Sequence, residues 1–101
     1  MELSMSLENK TAHLTLIGDI DDEGANKLKA KLTEIQNKDL EEVIFDFAGV
    51  KFIGSTGIGK LLLFYKSLSA KGGRLRITNM STDLHTMFTV IKLDKIFNIS
   101  T

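Results

Sequence analysis

Leu3, Met5 and Leu7 alternate with polar residues, and after Glu8-Asn9-Lys10 the alternation resumes at Ala12, Leu14 and Leu16. Two period-two runs joined by a short polar turn predict a β-hairpin. Gly18 ends the second strand. In Asp19-Ile20-Asp21-Asp22 an aspartate can cap the next helix by accepting from its free N–H groups. Ala25, Leu28, Leu32 and Ile35 then fall at helical spacing, with Lys27, Lys29, Lys31 and Glu34 largely off the apolar stripe. That pattern predicts a helix from about Glu23 to Asn37.

Val43-Ile44-Phe45-Asp46-Phe47 is a near-continuous apolar run, the pattern of a strand covered on both faces. A second helix is expected over about Thr56 to Ala70, with Ile58, Leu61, Leu62, Tyr65 and Leu68 as its buried face; Gly72-Gly73 stops it. Arg74 to Thr78 reads as a short strand. Thr82 or Asp83 opens a third helix carrying Leu84, Met87, Phe88 and Ile91, and the apolar tail Ile96 to Ile99 suits an edge strand or a docked extension. The order β-β-α-β-α-β-α predicts an α/β fold, a small mixed sheet with helices packed on it, in one domain over residues 1–101.

Composition narrows the function. The 13 basic and 13 acidic residues cancel, which argues against a nucleic-acid partner. No apolar run approaches the roughly 20 residues that span a bilayer, so no membrane insertion is expected. The start, Met1-Glu2-Leu3-Ser4, lacks a secretory pattern, and the chain has no cysteine; both fit a cytoplasmic protein. His13 and His85 lie far apart without metal-ligand spacing, so no metal site is expected.

The stretch Phe52-Ile53-Gly54-Ser55-Thr56-Gly57-Ile58-Gly59-Lys60 carries the candidate chemistry. Hydroxyls at the mouth of a helix sit beside free N–H groups and the positive dipole end, a place suited to phosphate. Gly54 to Gly59-Lys60 has the spacing of a nucleotide-binding P-loop, but Leu61 stands where a Ser or Thr would ligate magnesium. A purely structural role is compatible with function: Ser55 or Thr56 capping the helix, with glycines permitting a sharp turn. Lys60 reads as a solvated lysine on the first turn.

Gly18-Asp19-Ile20-Asp21, the strand Val43 to Phe47, and Ile53-Gly54-Ser55-Thr56-Gly57-Ile58-Gly59 together resemble the STAS-domain family of anti-sigma factor antagonists. Lys71-Gly72-Gly73 and the closing Leu93-Asp94-Lys95-Ile96-Phe97 agree, so the likeness covers essentially the whole chain. The resemblance implies a bacterial partner-switching regulator, not an enzyme, with no catalytic residues and no cofactor. It implies Ser55 as the site phosphorylated by an anti-sigma factor serine kinase, with Thr56 as a secondary acceptor and a PP2C-type phosphatase reversing the reaction. Asp21, Gly54, Ser55, Thr56 and Gly57 would form the partner-binding surface, Asp21 on its acidic rim as well as capping the helix. The family usually carries an aspartate where this chain has Gly54, and a glycine there is free to take positive φ. The alternative implied by the same resemblance is a STAS subunit of a membrane-lipid ABC transporter, bound to its ATPase.

Overall fold

A computed structural model describes residues 1–101. The hairpin forms as expected: β1 (Glu2–Glu8) pairs antiparallel with β2 (Thr11–Ile17) across a tight turn at Asn9-Lys10, with Asn9 at positive φ. Helix α1 spans Asp22–Ile35, β3 Glu42–Gly49, α2 Ser55–Ala70, β4 Arg74–Thr78 and α3 Thr82–Val90. A 3₁₀ turn at Leu93–Lys95 leads into the two-residue strand β5, Asn98–Ile99. The tail is therefore both alternatives at once: Phe97 docks in the core and the next two residues form an edge strand.

The strands lie in sequence order, β1-β2-β3-β4-β5, antiparallel only in the hairpin. This order overturns one expectation. The apolar run on β3 is not covered on both faces: Val43, Phe45 and Phe47 are buried, but Ile44 and Asp46 are only half-buried. Each parallel crossover, β2 to β3, β3 to β4 and β4 to β5, steps the same way across the sheet. Right-handed crossovers that never reverse direction put every helix on one face. The other face stays open, with His13, Thr15 and Ile17 exposed on β2 and Glu42 within 3.9 Å of Arg74 and 3.7 Å of Arg76.

The core is one cluster between the sheet and the helices. Helix α1 buries Ala25, Leu28, Leu32 and Ile35, the stripe its spacing predicts. Helix α2 differs from expectation. Leu61, Phe64 and Leu68 are buried, whereas Ile58, Leu62 and Tyr65 are only partly covered. Phe64 meets Phe45 edge-on with ring centroids 6.3 Å apart, and this contact turns the helix so that the stripe runs through Phe64. Tyr65, on the flank, packs edge-on against Phe97 at 5.8 Å. On α3, Leu84 and Phe88 are buried, Met87 is partly covered, and Ile91 lies exposed beyond the helix end.

Candidate functional site

The site lies where β3 hands over to α2, beside the segment joining β2 to α1. Main-chain bonds lock these two connections together: Gly18 N donates to Gly49 O, Ile20 N to Phe52 O and Gly54 N to Ile20 O, each at 2.9 Å. The result is a one-residue parallel bridge between Ile20 and Ile53, both buried. Asp21 and Ser55 follow these two residues, each by one or two positions, so the bridge holds them side by side. Asp21, Asp22, Glu23, Phe52, Gly54 and Ser55 line one shallow surface depression.

The helix start is not capped as the sequence suggests. Gly54 is the cap residue of α2, and no side chain bonds the first turn. Ser55 is already helical, so its hydroxyl lies past the position from which a cap can reach back to N2 or N3. The Ser55 side chain is exposed and takes part in none of the side-chain hydrogen bonds. Thr56 donates its hydroxyl to Asp22 Oδ1 at 3.0 Å, tying the start of α2 to the start of α1. Asp21 does cap α1, its Oδ1 accepting from Gly24 N at 2.8 Å.

Gly54 sits at φ −86°, ψ 172°, extended backbone that any residue adopts, so its freedom for positive φ is not used. A Cβ there would come no closer than 3.7 Å to the Phe52 ring. Gly57 is different. A Cβ at that position would meet Ile20 Cγ2 at 2.7 Å and Ile53 Cγ1 at 3.0 Å, so its bare backbone lets α2 seat directly on the bridge. Gly57 is buried beneath the site rather than on its surface. Of the five partner-surface residues inferred from the sequence, Asp21, Gly54 and Ser55 line the depression, Thr56 adjoins it through Asp22, and Gly57 supports it from below.

The partner surface inferred from the sequence left out Asp22, Glu23 and the half-exposed Phe52, although Phe52 opens the candidate stretch. Acidic residues in a first helical turn offered a signal for the first two, but their nearness to a serine more than 30 positions away exists only in the fold. Three carboxylates and no Lys or Arg line the depression. Lys60 lies elsewhere, in a groove between α1 and α2 with Lys29 and Phe64. The glycine run is also not a phosphate-cradling loop, because the helix begins at Ser55 and includes Gly57 and Gly59. Ile58 N already donates to Gly54 O.

The sequence profile described as STAS domain matches residues 4–101. An anti-sigma F factor antagonist of Paenibacillus polymyxa is 26% identical, over 98% of this chain and 87% of the relative. An anti-sigma-B factor antagonist of Bacillus subtilis is 32% identical, over 86% of this chain and 79% of the relative. The crystal structure of an anti-sigma factor antagonist from Mycobacterium paratuberculosis superposes with a TM-score of 0.85 at 19% identity, covering 98% of this chain and 84% of that one. That last likeness concerns the fold alone.

Proposed function

The chain belongs to the STAS domain family of anti-sigma factor antagonists, and on that premise we propose that it binds a kinase-type anti-sigma factor and is switched by phosphorylation of Ser55. It performs no catalysis of its own. Ser55 carries this reading: an exposed hydroxyl at the first position of a helix, free of any internal hydrogen bond. Its neighbour Thr56 is held by Asp22, which favours Ser55 as the acceptor.

In the transfer, the Ser55 oxygen bonds the γ-phosphorus of ATP, the terminal anhydride bond breaks and ADP departs. The hydroxyl proton goes to a base on the kinase. A PP2C-type phosphatase returns the serine by hydrolysis. The unphosphorylated form holds the anti-sigma factor and so frees the sigma factor; the phosphorylated form lets go.

Charge explains the switch. Phosphate brings about −1.5 to −2 charges beside the three carboxylates already there. The fold tolerates it, because the uncapped N–H groups of α2 and its dipole favour an anion by about 0.3–1 kcal/mol. A docked partner does not. A surface packed over Phe52 and Ser55 would have to desolvate a dianion in a depression lined by three carboxylates and by no Lys or Arg.

Incubation with a kinase-type anti-sigma factor and ATP, followed by peptide mass analysis, should find one phosphate on Ser55. The Ser55→Ala protein should take up none and stay bound to the anti-sigma factor in a pull-down with ATP present. Release of Ser55→Ala at the wild-type rate, or phosphate on a different residue, would defeat the proposal.

A further inference from the structure

The two edges of the sheet are unequal. β5 ends one side with only two residues, a length too short to recruit another strand. β1 ends the other with seven residues in unbroken register, with no bulge and no proline. Its sequence is Glu2-Leu3-Ser4-Met5-Ser6-Leu7-Glu8, which reads the same in both directions about Met5.

The outward-facing groups of β1 can be identified. Gly18 N donates to Gly49 O, so the even residues along β2 address β3 and the odd ones address β1. The partners of those odd residues, Glu2, Ser4, Ser6 and Glu8, bond inward. The main-chain N–H and C=O groups of Leu3, Met5 and Leu7 therefore point away from the sheet. None of the bonds outside the ladders engages them. The same three side chains lie on the core face, Leu3 and Met5 partly buried and Leu7 46% exposed.

We propose that β1 is a self-pairing edge, which takes a second copy of this chain antiparallel across a twofold axis at Met5. The palindrome selects that occupant. Pairing about Met5 opposes Met5 with Met5, Leu3 with Leu7 and Ser4 with Ser6, so apolar meets apolar on the core face and hydroxyl meets hydroxyl on the open face. Three residues of each copy exchange main-chain bonds, and two five-stranded sheets become one. The palindrome also sets a limit. Glu2 falls opposite Glu8 of the second copy at both ends, in pairs that are not hydrogen-bonded and so bring side chains closest. Self-association is therefore weak in the native chain and held back by these two glutamate pairs. Ser55 begins α2, which follows β3, two strands in from this edge, and stays accessible in the pair.

Sedimentation equilibrium over a concentration series tests the surface. The wild type should show a concentration-dependent dimer, and Glu2→Gln/Glu8→Gln should tighten it about tenfold by removing two like-charge contacts. Leu7→Lys, at an exposed position, should leave a folded monomer. Because the chain lacks cysteine, single substitutions also report the register. Met5→Cys should form an intermolecular disulfide faster than Ser4→Cys or an exposed control, Ser69→Cys. Circular dichroism of each variant verifies that it is folded. A glutamine variant that remains monomeric at the highest concentration would overturn the proposal, as would Met5→Cys crosslinking no faster than Ser69→Cys. Fastest crosslinking at Ser4→Cys would also overturn it, because a register slipped off Met5 no longer follows the palindrome.

Discussion

The starts of α1 and α2 lie side by side but are built in opposite ways. Helix α1 has an aspartate cap bonded to Gly24 N and two further acids, Asp22 and Glu23, in its first turn. Helix α2 has a glycine cap with no side-chain bond and no acid in its first turn. Helix α3 follows α1, with Ser81 accepting from Leu84 N and Asp83 in the first turn. Two helices thus have their positive ends satisfied from within, and one does not. The unsatisfied end is the one that presents a free serine. A helix start that is already capped and surrounded by its own carboxylates has nothing to gain from an added phosphate; α2 does.

The largest effect should come from the support beneath the α2 start. Gly57→Ala gains helix propensity but drives a methyl against Ile20 and Ile53, which are buried and cannot yield. Overpacking should win, with a net loss of about 1–2 kcal/mol. Thermal unfolding should show it as a fall of roughly 4–8 °C per kcal/mol. A variant as stable as wild type would mean that α2 does not need its close seat on the bridge.

Next come the two serines at helix starts, which sharpen the contrast. Ser81→Ala and Asp21→Ala each remove a cap and should cost about 1 kcal/mol in denaturant unfolding. Ser55→Ala removes no internal bond and should change stability by less than about 0.5 kcal/mol. Equal losses at Ser55 and Ser81 would erase the distinction.

The smallest effect should follow from giving α2 the cap it lacks. Gly54→Asp fits the observed backbone and meets nothing closer than 3.7 Å. It should raise stability by a few tenths of a kcal/mol, most clearly in high salt, where Asp21, Asp22 and Glu23 are screened from it. Loss of stability under those conditions would show that the α2 start is not open to a new negative charge.

Local chemistry wrote much of this protein in plain view. The hairpin, the stripe of α1, the strand Arg74–Thr78 and the cap at Asp21 all rest on residues within a few positions of each other, where periodicity and turn chemistry act. So does the placement of Ser55 at a helix mouth, and Gly18 to Asp21 with Ile53 to Gly59 marked the family. Only the tertiary structure decided what depends on contact across the chain. The strand order left one sheet face open, because crossovers of one hand and one direction cannot cover both. The Phe45–Phe64 contact set which side of α2 is buried. The Ile20–Ile53 bridge brought the acids of α1 to Ser55 and joined Thr56 to Asp22, and it left the capping position to Gly54. Sequence spacing fixes which face a residue shares with its near neighbours; what that face meets is set by packing between elements, which no local pattern encodes.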